Sequence, residues 1–201
     1  MTVKRLSALT IALTVIASRG LQFALNGAKP GLAPWGARTW DLLQFFTILT
    51  CGLVAAVMMR EAAGKPVSRN WHATIVVNIA MVGVIYQVLL APPEPLAGLD
   101  WWPDFGFHVV IPVLTVLWWG AFGPKPLALS ALPLWLIWPT AYCGYALIRG
   151  GIEGSYPYFF LDVAKLGALQ VAINVAGLVT VFAGAGLVVW LTARLLPRSA
   201  V

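Results

Sequence analysis

Asp104-Phe105-Gly106-Phe107-His108-Val109-Val110-Ile111-Pro112-Val113-Leu114-Thr115-Val116-Leu117-Trp118-Trp119 opens on an aspartate, carries one histidine about a turn inside, and is otherwise almost wholly apolar. It reads as a helix that enters a membrane. An imidazole inside lipid is costly unless it is paired, so His108 marks a functional site. The chain has one other histidine, His72, in a polar stretch beside Asn70 and Trp71.

The rest of the chain agrees with a membrane class. Of its 201 residues, 60% are hydrophobic and 10% charged, where soluble domains carry roughly a quarter charged residues. These values predict an all-α, polytopic membrane protein whose residues 1–201 form one membrane domain. The basic flank Lys4-Arg5 precedes an apolar run that continues to Leu25 without a small-residue cleavage site. It predicts a first span that is retained. The net charge of +6 is not a nucleic-acid signal, because the basic residues fall in short loops and tails, as a topology signal does. Cys51 and Cys143 lie within apolar segments and read as small packing residues, not as a disulfide or metal framework.

Six segments reach the ~20 residues that a bilayer core requires. They run over Leu6–Leu25, Thr39–Met59, Trp71–Ala91, Phe105–Phe122, Leu127–Leu147 and Val163–Leu191. Turn chemistry separates them at Asn26-Gly27-Ala28-Lys29-Pro30-Gly31, Gly64-Lys65-Pro66, Pro92-Pro93-Glu94-Pro95, Gly123-Pro124-Lys125-Pro126 and Arg149-Gly150-Gly151. With both termini in the cytoplasm, the inner side holds Lys4, Arg5, Arg60, Lys65, Arg69, Lys125, Arg194 and Arg198 against Glu61. The outer side holds Lys29, Arg38 and Arg149 against Glu94, Asp100, Asp104 and Glu153. This bias follows the positive-inside rule, and Trp35, Trp40, Trp101, Trp102 and Tyr156 then fall at the outer interface. Short loops suit a bacterial cytoplasmic membrane.

The topology places polar residues in one layer. At about 1.5 Å per residue, Thr47 is expected on the order of 12 Å below the outer boundary and His108 about 6 Å below it. Arg19, Tyr86, Gln87, Tyr142, Tyr145, Lys165, Gln170 and Asn174 share that outer half. Arg19 needs a carboxylate, carbonyls or water there, with Asp41, Asp104 and Asp162 as candidates, or it snorkels to the interface. Asp104 and His108 stand four apart and so share a helix face. The aspartate can orient the imidazole, or it can N-cap the span, or both. Thr47 either back-bonds to the carbonyl one turn earlier or gives its proton to a base, and His108 is the imidazole on its side of the membrane.

Three patches resemble the androgen-induced multipass membrane proteins and their bacterial relatives. They are Phe45-Phe46-Thr47, Asp104-Phe105-Gly106-Phe107-His108-Val109-Val110-Ile111-Pro112, and Tyr156-Pro157-Tyr158-Phe159-Phe160-Leu161-Asp162. The resemblance implies an intramembrane threonine hydrolase of fatty acid esters of hydroxy fatty acids, with Thr47 as nucleophile and His108 as base. Thr50-Cys51 departs from the family pattern of a small hydroxyl residue followed by asparagine.

The expected chemistry is acyl transfer through an acyl-threonine, with no cofactor. Arg19, Lys165, Asn174, Gln87 and the tyrosines are candidate oxyanion donors, and Arg19 or Lys165 could hold a substrate carboxylate. The partners are the bilayer and a lipid or fatty-acyl ester. The rival reading is a lipid-binding or small transport protein that uses the same cavity without covalent chemistry. A proton relay through Asp104 and His108 is another. One deep histidine with scattered cysteines and carboxylates makes a poor metal set.

Overall fold

The computed structural model of the chain describes residues 1–27, 34–94 and 96–196. The expected break at residues 28–31, Pro95 and the charges Lys29 and Arg198 lie outside them. The described residues form an all-α, polytopic bundle. α1 covers Val3–Gly27, α2 Trp35–Leu42, α3 Phe46–Ala62 and α4 Arg69–Ile85. α4 continues into a wide π turn over Tyr86–Leu90. α5 (Trp101–Phe105) passes through a second π turn, Gly106–Val110, into α6 (Ile111–Phe122). α7 spans Leu132–Glu153, α8 Val163–Leu166 and α9 Ala168–Leu195. Among the described residues five segments are long and apolar enough to cross a bilayer: Val3–Leu25, Arg69–Leu90, Gly98–Phe122, Leu129–Glu153 and Ala168–Leu195. α2 and α3 add a sixth as a bent pair.

α4 packs against α3, α6, α7 and α9 and forms the centre of the bundle. Its buried face runs from His72 to Val82. A polar residue there must be bonded, and Asn78 donates to the Thr74 carbonyl at 2.8 Å and the Trp135 carbonyl at 3.2 Å. Ser68 caps the start of α4 by accepting from the Trp71 N–H. At the close of α6, the Lys125 ammonium donates to the carbonyls of Trp119, Gly120 and Gly123. Burial among these groups lowers the Lys125 pKa from its ordinary value.

The span boundaries differ from hydropathy in four places. The apolar run Thr39–Met59 is not one helix: α2 meets α3 at 93°, and the second span begins at Phe46. The break is held from α7. Tyr142 donates to the Gln44 carbonyl at 2.7 Å, Tyr145 to the Leu43 carbonyl at 3.2 Å, and Arg149 to the Trp40 carbonyl at 2.8 Å. The Leu43 and Gln44 carbonyls at the bend are thereby satisfied. Thr47 therefore lies in the first turn of α3, not several turns down a continuous span. The fourth span starts near Gly98, before Asp104, so Asp104 sits within the helix and is not its N-cap.

The expected break at Arg149-Gly150-Gly151 is helical, and α7 runs on to Glu153. It ends where Gly154 takes the left-handed conformation, φ 72°, that favours glycine. The sixth run is divided at Gly167, φ 78°, into α8 and α9. α9 alone has 28 residues, about 42 Å of helix.

At the end of the bundle remote from Thr47, Glu61 joins three helices. Its carboxylate lies 3.1 Å from the Lys4 ammonium and 3.0 Å from His72 Nε2. His72 stacks on Trp118, whose indole N–H donates to the Lys4 carbonyl at 3.1 Å. His72, in its polar stretch, is thus a fully buried member of a charged cluster. The local signal for it is Ser68 one turn earlier, whose carbonyl lies 3.0 Å from Nδ1.

Candidate active site

Thr47, Asp104 and His108 meet. The α2–α3 bend presents Thr47 at the start of α3, and the π turn at Gly106–Val110 carries His108. Thr47 Oγ1 lies 3.5 Å from His108 Nε2. That is at the long limit of a hydrogen bond. The carbonyl one turn before Thr47, that of Leu43, lies beyond the bend and accepts from Tyr145 instead.

The other imidazole nitrogen is held firmly. His108 Nδ1 lies 3.0 Å from Asp104 Oδ1 and 3.0 Å from the Asp104 carbonyl oxygen. Both are acceptors, so Nδ1 carries the proton and Nε2 is left bare toward Thr47. Tyr86 fixes the carboxylate and the ring together. Its hydroxyl donates to Asp104 Oδ2 at 2.7 Å, and its ring stacks on the imidazole at 3.6 Å between centroids and 5° between planes. Two π turns thus bring Tyr86 and His108 face to face, and such turns are frequent at functional sites. α4 and α6 approach closely here. A Cβ on Gly83 would stand 3.2 Å from the His108 carbonyl oxygen, so a larger residue would push the two helices apart by a few tenths of an ångström.

Thr47 also lines a small cavity of about 50 Å³. Its walls include Phe46, Met81, Val82, Ile85, Tyr142, Tyr158, Leu178 and Phe182. Apart from Thr47 and the two tyrosines, the lining is almost wholly apolar. His108 does not line this cavity. It borders an open groove between α4 and α6 with Gly83, Gln87 and Pro112.

Tyr158 belongs to the site and was not among the expected site residues. Its hydroxyl accepts from the Phe46 N–H at 3.1 Å, at the head of α3, and lies beside the Thr47 and Tyr142 hydroxyls. Burial pushes the Tyr158 pKa up, so it keeps its proton at neutral pH. The signal that could have found it was its place in the Tyr156–Asp162 patch.

The remaining expected residues are elsewhere. Among the described residues no carboxylate pairs with Arg19, and its Nη1 is buried without a hydrogen-bond partner. Lys165 is exposed and pairs with Asp162 at 3.1 Å, which caps α8 by accepting from the Lys165 N–H. That ammonium holds the Asp162 carboxyl below its ordinary pKa. Gln170 donates to Asn174, which donates to the Phe160 carbonyl at 2.8 Å. Tyr145 braces the bend and accepts from Arg149. None of Arg19, Gln87, Lys165, Gln170 and Asn174 lines the Thr47 cavity. Thr50 accepts from the Trp138 indole N–H at 3.1 Å and does not line the Thr47 cavity. Among the described residues no three His, Cys, Asp or Glu side chains converge as a metal set.

No family profile, no curated protein and no solved structure matches the chain significantly.

Proposed function

We propose that the chain is an intramembrane threonine hydrolase of lipid esters. The observation that carries this reading is the line of contacts from Thr47 through His108 to Asp104, opening on an apolar cavity. A nucleophile, a base within reach and a third group that orients the base are the parts of an acyl-transfer site. His108 Nε2 takes the Thr47 proton, Oγ1 attacks the ester carbonyl, and the same proton leaves with the alcohol. Water, deprotonated by His108, then releases the acid from the acyl-threonine. The apolar walls beside Thr47 match the chemistry of a fatty acyl chain, which would have to part them to enter. The resemblance of the three sequence patches points to fatty acid esters of hydroxy fatty acids as the substrate class. With both termini in the cytoplasm, the site faces the outer half of a bacterial cytoplasmic membrane.

A lipid-binding or transport protein could use the same cavity, but it has no need of a carboxylate fixed by both Tyr86 and His108. The test is hydrolysis of a hydroxy-fatty-acid ester by folded Thr47→Ala and His108→Ala variants. Both are expected to lose activity, and a fluorophosphonate probe is expected to label Thr47 in the wild type. Activity retained in both variants, or a label on another residue, refutes the reading.

A further inference from the structure

Acyl transfer at Thr47 needs a donor for the oxyanion, and the charged and amide side chains named from the sequence do not line its cavity. Two tyrosines do. The Tyr142 proton is already given to the Gln44 carbonyl at 2.7 Å. The Tyr158 hydroxyl receives the Phe46 N–H at 3.1 Å, which leaves its own proton to donate. It stands at the first turn of α3 beside Thr47, where the helix presents backbone N–H groups with positive partial charge. Base and tyrosine use different surroundings of the same hydroxyl group, because Tyr158 shares the acyl cavity with Thr47 and His108 does not.

We propose that the Tyr158 hydroxyl is the oxyanion donor of the Thr47 reaction. This rests on the acyl-transfer reading. As the Thr47 Oγ–carbon bond forms, the Thr47 proton passes to His108 Nε2 and the carbonyl π pair moves onto the carbonyl oxygen. Tyr158 donates a hydrogen bond to that oxyanion without surrendering its proton. Collapse restores the carbonyl, breaks the bond to the alcohol oxygen, and returns the proton from His108 to the departing alcohol. A hydroxyl that accepts from a backbone N–H is polarised into a stronger donor, so Phe46 N–H contributes through Tyr158.

The test is Tyr158→Phe in the full chain purified in detergent. Loss of an oxyanion donor lowers kcat by roughly 10²–10³, with KM held within about threefold. A trifluoromethyl ketone with the substrate's acyl chain forms a hemiketal on Thr47 and reports the oxyanion alone. Its affinity is expected to fall by the same factor as kcat, while the fatty acid product binds as before and the melting temperature drops by only a few degrees, as the Phe46 N–H loses its acceptor. If Tyr158→Phe does not fold, a difluorinated tyrosine at position 158, assayed below its own ionisation, keeps the shape and makes the hydroxyl a stronger acid. Ketone affinity must then rise. The assignment is overturned if Thr47→Ala and His108→Ala are inactive while Tyr158→Phe keeps kcat within about threefold, or if the fluorinated chain binds the ketone unchanged. Activity retained by Thr47→Ala overturns the acyl-transfer reading itself, and the donor assignment falls with it.

Discussion

Asp104→Asn separates two jobs of the carboxylate. In a serine-type triad the same exchange costs ~10⁴ in kcat, because the histidine loses its correct tautomer. Here His108 Nδ1 has a second acceptor at the same 3.0 Å, the Asp104 carbonyl oxygen, which the substitution leaves in place. The tautomer is therefore kept. The asparagine oxygen can face Nδ1–H, and its NH₂ can donate to the Tyr86 hydroxyl, which accepts as readily as it donates. What is lost is charge. A charge-assisted hydrogen bond contributes about 1.5–3 kcal/mol and a neutral one about 0.5–1.5, so the imidazolium loses about 1–2 kcal/mol. At about 1.4 kcal/mol per decade, kcat falls roughly 5–30-fold. The assay is steady-state hydrolysis of a hydroxy-fatty-acid ester by purified, folded protein. A loss of ~10³ or more would show that the backbone carbonyl does not hold the tautomer. No loss would show that the carboxylate has no part in the chemistry.

Other substitutions probe neighbouring features. Tyr86→Phe keeps the stack on His108 and removes the 2.7 Å bond to Asp104, worth about 0.5–1.5 kcal/mol. A kcat loss of roughly two- to twelvefold is expected, and an unchanged rate would dismiss Tyr86 as a brace. Leu178→Trp fills the cavity beside Thr47 and should shift preference to shorter acyl chains in a chain-length series; an unaltered profile would place the acyl chain elsewhere. Glu61→Gln leaves Lys4 and the buried His72 without their carboxylate. Because Lys4 is 42% exposed, the loss is discounted to about 1–2 kcal/mol, seen as a melting temperature lower by a few degrees. Kinetics should not change, since Glu61 stands fourteen residues beyond Thr47 on α3, about 21 Å away. A fall in kcat would contradict that separation.

The bundle was legible because hydropathy reports burial in lipid directly. Its span ends were less so, because distant groups set them. The α2–α3 bend depends on hydroxyls and a guanidinium from α7, about a hundred residues further along the chain, and the α8–α9 break on one glycine dihedral. Asp104 and His108 were readable as a pair because they lie one turn apart. Thr47 entered through its hydroxyl and its half of the bilayer, and only the fold puts it 3.5 Å from the imidazole. Arg19 and Lys165 attracted notice because charge in an apolar run is conspicuous, yet neither reaches the cavity. Tyr158 was visible only as part of the Tyr156–Asp162 patch, because nothing local shows that a residue between spans folds back onto the head of α3.

The π turns at Tyr86–Leu90 and Gly106–Val110 each close a hydrogen bond five residues apart, Ala91 N–H to the Tyr86 carbonyl and Ile111 N–H to the Gly106 carbonyl. Each contains one residue more than an α-helical turn needs, and one residue of α-helix is about 100° of rotation. The surplus works as an angular offset between the two halves of a continuous helix. Below it, Trp118 seats α6 against α1 and α4; above it, Asp104 holds His108 toward Thr47. Aim and seating can therefore vary independently. A one-residue deletion at Val109 would leave the lower half of α6 packed and swing the carboxylate about 100° out of the site, so a single codon separates an assembled triad from an intact but unarmed bundle.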